Sequence, residues 1–147
     1  MNKIDLYPGQ RKSCRAVATI SKGNGKVRIN NIPVELLEPE VVKELILTPL
    51  ALAGELRNRV DISVRVRGGG FMGQAFASAV AISRSLSGEG KGGRDPKDHP
   101  LAKNIREEIR KKITEFDRHL LAGDPRQIES KKFGGSGARR RKQKSYR

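Results

Sequence analysis

Several residue types are scarce in this chain, and each scarcity excludes a class of protein. Cys14 is the only cysteine in 147 residues, which excludes an internal disulfide and argues against a cysteine-based metal site. The two histidines, His99 and His119, lie in different sequence contexts, so zinc lacks a set of ligands. No apolar run approaches the ~20 residues of a transmembrane helix, and the first residues lack the apolar core of a signal peptide.

Acidic residues are also few, and the resulting charge is unevenly distributed. The chain carries 31 Lys and Arg against 16 Asp and Glu, a net charge of +15. Residues 1–30 carry +6 and residues 131–147 carry +8, whereas residues 31–130 are almost balanced at +1. A balanced middle with cationic ends is typical of a folded body whose ends bind a polyanion.

Alternating apolar residues predict the strands, which lie over residues 14–20, 26–30 and 60–67. Glycine and asparagine between the first two strands predict a turn over residues 21–25 and therefore a β-hairpin. The third strand alternates most strictly, and it predicts one buried face and one exposed face that carries Arg65 and Arg67.

Apolar periodicity predicts the helices, which lie over residues 39–48, 49–57, 71–86 and 100–121. Pro49 separates the first two, because a proline inside a helix loses a hydrogen bond and clashes with the preceding turn. Thr48 is the expected cap of the second helix. These elements predict a compact α+β body over residues 1–130.

Residues 131–147 contain too few apolar side chains to fold alone, so we predict an extended basic tail. Arginine suits phosphate binding because its planar guanidinium can hold a phosphate with two parallel hydrogen bonds. A solubilising or nuclear-import tail is the alternative interpretation of such a run. The candidate phosphate ligands of the tail are Lys131, Lys132, Arg139, Arg140, Arg141, Lys142, Lys144 and Arg147.

Gly68, Gly70 and Gly73 fit the pattern G-x-G-x-x-G between a strand and a helix, which is the surface form of a dinucleotide-binding motif. The context argues against a nucleotide enzyme, because no second parallel strand with a ribose-binding acid follows. We therefore expect neither an enzyme nor a cofactor. Gly69 and Gly70 precede a helix N-terminus that attracts phosphate, although glycines that permit close packing are an equal alternative.

Further cations lie on the predicted body, and together they indicate that one of its faces contacts RNA. Arg65 and Arg67 lie on an exposed strand face. The N-terminal hairpin is basic as well, with Arg11, Lys12, Lys22, Lys26 and Arg28.

Short motifs that span nearly the whole chain resemble one known family. They are Gly9-Gln10-Arg11-Lys12, Gly23-Asn24-Gly25, Ile29-Asn30-Asn31-Ile32-Pro33, Val66-Arg67-Gly68-Gly69-Gly70 with Gln74-Ala75, Ser83-Arg84-Ser85-Leu86, Asp124-Pro125-Arg126, Glu129-Ser130-Lys131-Lys132 and Gln143-Lys144-Ser145-Tyr146-Arg147. In these motifs the chain resembles the universal small-ribosomal-subunit protein nine family. The Ser-Tyr-Arg ending and Leu47-Thr48-Pro49-Leu50 resemble its archaeal and eukaryotic branch.

The resemblance implies a ribosomal protein S-five domain-two-like sandwich, in which helices pack on a mixed sheet. It also implies a cytoplasmic protein of the small ribosomal subunit that binds 16S-type rRNA in the head, beside neighbouring head proteins. The tail would contact rRNA along its path and end at the P-site tRNA, with contacts from Arg147, Tyr146, Ser145 and Lys144. A free-standing RNA-binding module, such as an RNase-P-type protein subunit, is the alternative.

Overall fold

A computed structural model describes residues 5–90, 96 and 98–140. It contains one sheet with the strand order β1-β2-β5-β3-β4, in which β3 and β5 are parallel and every other neighbouring pair is antiparallel. The predicted α+β class with a mixed sheet is confirmed. The strands are β1 Tyr7–Arg11, β2 Cys14–Lys22, β3 Val27–Ile29, β4 Ile32–Pro33 and β5 Val60–Arg67.

Helices pack on one face of this sheet, and α2 is the central element because it contacts β1, β2 and β5 as well as the other three helices. The shorter elements are 3₁₀ turns at Val34–Leu36 and Gly54–Arg59. In the described part of the chain, no helix is long and apolar enough to cross a membrane. The α-helices are α1 Glu40–Ala53, α2 Phe71–Ser87, α3 Lys103–Phe116 and α4 His119–Ala122.

The core lies between the sheet and α1 and α2. The strict alternation of β5 buries its apolar side chains beneath these helices, and its polar side chains face away from them. Six alanine and serine side chains of α2, from residue 75 to residue 83, are buried, and their small size allows the helix to lie close to the sheet. The β5 strand and the α2 helix agree with the sequence prediction in type and position.

The predicted hairpin is wrong, because β5 lies between β2 and β3 and pairs with both. The turn that joins β2 and β3 is closed by a side chain of β5 and not by pairing of its own flanks. The carboxylate of Asp61 accepts hydrogen bonds from the backbone N–H groups of Asn24 (2.8 Å) and Lys26 (2.9 Å). These bonds, chiefly the one from Lys26, lower the pKa of Asp61.

The predicted break at Pro49 is also wrong, since α1 runs through this residue to Ala53. Burial explains the difference. Ile46, Pro49 and Leu50 are buried on the face that packs against α2 and α3, which offsets the hydrogen bond that proline cannot donate. Thr48 caps no second helix, and its hydroxyl donates to the carbonyl of Glu44 at 3.0 Å within α1.

The long helix predicted over residues 100–121 is divided in two at Asp117. Asp117 has extended backbone geometry, and its carboxylate accepts a hydrogen bond from the N–H of His119 at 2.8 Å. Phe116, the last residue of α3, is 63% exposed and lies outside the core. The break at Asp117 turns Leu120 and Leu121 into the core, where α4 packs against α2.

Candidate nucleic-acid interface

The face of the sheet that the helices leave open is strongly basic. Its exposed cations come from three adjacent strands, with Arg15 on β2, Arg28 on β3, and Arg65 and Arg67 on β5. Arg15 lies directly opposite Arg67 in the antiparallel β2–β5 pair. Directly opposed like charges destabilise a sheet, so this arrangement favours an anion that neutralises both side chains.

Among the described strand residues, no free carboxylate on this face competes with such an anion. Asp61 is the one acidic residue in the five described strands, and the N–H groups of the turn before β3 already occupy its carboxylate. The other side chains here include the hydroxyls of Thr19 and Ser63 and the apolar Val17, which lies opposite Arg65. Such an open, cationic and shallow surface suits the contact of a nucleic-acid backbone without reading its sequence.

Arg65 and Arg67 therefore lie where the alternation of β5 predicted them, and Lys22 is exposed at the end of β2. Arg15 was not among the predicted contacts, because its position opposite Arg67 depends on the pairing of β2 with β5. The alternation of β2 was the available signal, since it places Arg15 on the polar face of that strand. Arg28 was assigned to a hairpin and lies instead beside Ser63 of β5.

Backbone conformation and close packing account for most of the glycines in the turn before α2. Gly68 and Gly69 have φ angles of +80° and +62°, which favour glycine. A Cβ atom on Gly69 or Gly73 would overlap the sulfur of Cys14. Gly70 differs, because nothing lies within 4 Å of the place where its Cβ would be. Contact of Gly69 and Gly70 with RNA stays a prediction, and Gly70 is the more open of the two.

Arg11 is engaged within the protein. Its guanidinium donates a hydrogen bond to the carboxylate of Asp124 and lies 5.2 Å from the centre of the Phe76 ring. Arg126 binds the same carboxylate, with its Nη2 atom 2.7 Å from Oδ2. Hydrogen bonds from Arg126, with the nearby Arg11 charge, hold the pKa of Asp124 well below its usual range. Arg11 thus fixes the segment that leads into the tail, and its contact with RNA stays a prediction.

Lys12 lies beside a cleft of about 680 Å³ between the β1–β2 turn and α4. Arg118, His119 and Asp124 also line this cleft. Lys12 is exposed, with a φ angle of +52° in the turn. The cleft is therefore a second place on the body where a phosphate group would meet cationic side chains.

Arg84 also lines this cleft, but its role is internal. The guanidinium donates to the backbone carbonyls of Leu121 (2.7 Å), Pro8 (2.7 Å) and Ala122 (3.0 Å). Burial lowers the pKa of Arg84. The side chain thereby joins α2 to β1 and to the end of α4, an arrangement that the sequence motif Ser83-Arg84-Ser85 did not reveal.

His99 has a structural environment and not a catalytic one. Its Nε2 atom lies 2.8 Å from the carbonyl oxygen of Ser85, and its Nδ1 atom lies 3.1 Å from the backbone nitrogen of Leu101. Burial lowers the pKa of His99, which favours the neutral ring. Within the described residues, no group of three or more His, Cys, Asp or Glu side chains could hold a metal ion.

The first part of the tail is exposed, including Lys131, Lys132 and Arg140. Arg139 is held by Glu129, with its Nε atom 3.0 Å from Oε2 and its Nη2 atom 2.9 Å from Oε1. The boundary between body and tail at residue 130 stays a prediction. The remaining candidate contacts lie outside the described residues, and these are Arg141, Lys142, Lys144, Ser145, Tyr146 and Arg147.

The chain is similar to known proteins over both the body and the tail. A family model described as Ribosomal protein S9/S16 matches residues 9–147. The chain is 46% identical over 145 residues to the "Small ribosomal subunit protein uS9" of Desulfurococcus amylolyticus, covering 99% of this chain and 94% of that protein. Proteins of the same name from Halobacterium salinarum and Methanothrix thermoacetophila are 49% and 40% identical, over 140 and 145 residues. These two matches cover 95% and 99% of this chain, and 96% and 99% of those proteins.

Proposed function

The chain belongs to the ribosomal protein S9/S16 family, and from this premise we propose that it binds small-subunit rRNA in the head and reaches the P-site tRNA with its C-terminus. The family consists of structural ribosomal proteins and not of enzymes, so the chain has a structural role in the small ribosomal subunit, in the cytoplasm. The predicted archaeal-type branch is confirmed by the three archaeal relatives. Ribosomal RNA and neighbouring ribosomal proteins are its partners.

The observation that carries the proposal is the open sheet face. Its four arginines lie on adjacent strands without a free carboxylate beside them, and Arg15 opposes Arg67. A free protein gains nothing from this repulsion, whereas a phosphate backbone releases its counterions when it binds there. We therefore assign the rRNA contact of the body to this face, with Lys22 at the end of β2 and with Lys12 in the separate cleft beside α4.

The tail extends this contact in the proposal. Lys131, Lys132 and Arg139–Lys142 would lie along rRNA, and Lys144–Arg147 would reach the tRNA. Such a tail can order as RNA surrounds it, because it has little structure of its own to lose. Contacts to phosphate position any tRNA irrespective of its sequence, which a P-site contact requires.

The body contact is tested by a variant with four glutamines, Arg15→Gln, Arg28→Gln, Arg65→Gln and Arg67→Gln. Its binding to small-subunit rRNA should weaken strongly, and the slope of log K against log salt should fall by roughly 3 to 4, about one per lost phosphate contact. The control removes four exposed charges elsewhere, at Arg57, Arg59, Lys111 and Lys112. Equal loss of affinity in both variants would show that total charge, and not this face, determines binding.

The tail contact is tested by deletion of residues 139–147. Truncated chains should still enter the small subunit, as measured by co-sedimentation in sucrose gradients, but the P-site tRNA should bind more weakly. Arg147→Ala should have a smaller effect in the same direction. Unchanged tRNA affinity in the truncated subunits would contradict the tRNA contact. A chain that binds RNA but never sediments with subunits would support the free-standing module instead.

A further inference from the structure

Residues 129–140 form a loop of defined shape outside the core. The two hydrogen bonds between Arg139 and Glu129 hold its ends together. Gly134 has a φ angle of +78°, and a Cβ atom on Gly135 would overlap the carbonyl oxygen of Arg140. Both positions therefore require glycine, and the loop returns the chain so that Arg140 lies beside the turn.

This loop surrounds a cup of about 300 Å³ whose lining residues include Phe133 and three cations, Lys132, Arg139 and Arg140. Phe133 is fully exposed. A fully exposed phenylalanine within a loop this constrained is poorly explained by packing, since no described residue covers it.

We propose that this cup binds one unstacked nucleotide of RNA, whose base stacks on the Phe133 ring and whose phosphates contact Lys132 and Arg140. Aromatic stacking combined with flanking cations is how proteins hold single-stranded nucleotides without reading their sequence. This inference rests on the proposed function, because it requires an RNA partner. The nucleotide belongs to either rRNA or tRNA, and the experiment separates these two sources.

The charges around the ring favour RNA over a protein partner. Glu129 is the one carboxylate in the loop, and the guanidinium of Arg139 occupies it. If an apolar pocket of a partner protein covered Phe133, it would also remove water from Lys132 and Arg140. This desolvation costs free energy, and the loop has no free carboxylate to offset it. Phosphate groups on either side of a base would instead neutralise both cations.

The chain contains no tryptophan, so a single introduced tryptophan reports on one site. Full-length Phe133→Trp should lose most of its fluorescence when it binds small-subunit rRNA or enters the subunit, because stacking on a base quenches indole emission. Quenching by rRNA alone identifies the nucleotide as ribosomal, and quenching that requires tRNA in the P site assigns it to tRNA. The control is Ile128→Trp, at another exposed apolar position outside the cup. Equal quenching of both reporters, or a brighter and blue-shifted emission that indicates burial in protein, would overturn the proposal.

Affinity measurements separate stacking from charge. Phe133→Leu keeps an apolar side chain but lacks the ring, and its RNA affinity should fall roughly tenfold, whereas Phe133→Trp should keep wild-type affinity. Lys131→Gln tests the general cationic contact of the tail outside the cup. Weaker binding by Lys131→Gln together with full affinity of Phe133→Leu would refute the stacked base and leave the proposed function intact. A wild-type chain without affinity for rRNA would refute both.

Discussion

Arginines on the two sides of the sheet have opposite surroundings. On the helical side, Arg84 donates to three backbone carbonyls and joins three elements of the fold. On the open side, Arg65 and Arg67 are exposed and make no ion pair with any described residue. All three residues are arginines of the same charge, but they differ in their partners. Arg84 supports the fold from within, whereas Arg65 and Arg67 belong to a surface that requires an external anion. We therefore expect substitutions on the helical side to alter the stability of the protein, and substitutions on the open side to alter its binding to RNA.

The largest effect on stability is expected from Arg84→Met. Methionine fills similar space but leaves the partly buried carbonyls of Pro8 and Leu121, and the exposed carbonyl of Ala122, without their donor. A carbonyl that is kept from water without a donor costs about 1–3 kcal/mol. The free energy of unfolding should fall by about 3–5 kcal/mol in urea titration of the free protein, chiefly from the two partly buried carbonyls. Arg84→Lys should recover only part of this loss, because an ammonium group cannot reach three diverging carbonyls. A change below about 0.5 kcal/mol in Arg84→Met would contradict the internal role of this residue.

A smaller loss is expected from Gly69→Ala, where a methyl group would overlap the sulfur of Cys14 at a positive φ. The free energy of unfolding should fall by about 2–3 kcal/mol, part of which is the backbone cost of roughly 1 kcal/mol. Gly54→Ala is the matched control, since Gly54 has a φ of +60° but no atom within 4 Å of its Cβ position. It should show the backbone cost alone. Equal losses in the two variants would mean that packing against Cys14 does not require glycine at position 69.

The pH dependence of stability gives a more modest test on the helical side. The folded state lowers the pKa of His99, mainly by burial, so the unfolded state binds a proton first as pH falls. Neutral His99 therefore contributes its full stabilisation of the folded state above the ordinary histidine pKa of about 6.5. This contribution is lost as pH falls through the pKa of His99 in the folded state. His99→Gln should flatten this part of the profile in thermal unfolding between about pH 7 and pH 5. His119→Gln, at an exposed position, should leave it unchanged.

The smallest effect on stability is expected from Arg65→Gln combined with Arg67→Gln. Both side chains are exposed, and their loss removes repulsion with Arg15, so the free energy of unfolding should stay within about 0.5 kcal/mol of the wild type. Binding to rRNA should nevertheless weaken. Urea titration and RNA titration of one protein sample measure the two effects together. A loss of stability that parallels the loss of binding would remove the distinction between the two sides of the sheet.

Elements whose signals are local could be predicted from the sequence. The alternation of β5 and the periodicity of α2 were sufficient to place both, and the glycine turn between them was placed correctly. Contacts between distant segments could not be predicted in the same way. The insertion of β5 between β2 and β3 pairs segments more than thirty residues apart, and Asp61 of β5 bonds to the turn that joins β2 and β3. The burial that carries α1 through Pro49 depends on its packing against α2 and α3.

The residues of the candidate interface also differ in whether a local signal was sufficient to predict them. Arg65 and Arg67 were identified from one strand, and the cations of the tail from composition. Arg15 required the register of β2 against β5, and the internal roles of Arg11 and Arg84 required their acceptors on distant segments. Long-range pairing therefore determines which cations remain available for RNA.

The central position of β5 has a consequence for synthesis. During translation, the first 33 residues can form only two separate antiparallel ribbons, because the strand that joins them is not complete until Arg67. Until then both ribbons have backbone N–H and C=O groups without partners along their edges. The segment is also strongly cationic, so it can bind cellular RNA. A nascent chain that stops before Val60 should therefore show no sheet protected against hydrogen exchange, whereas one that includes α2 should. The sheet is thus completed only by its last strand, β5. Because β2 and β3 pair with a strand that is distant in sequence, folding of the N-terminal segment is delayed.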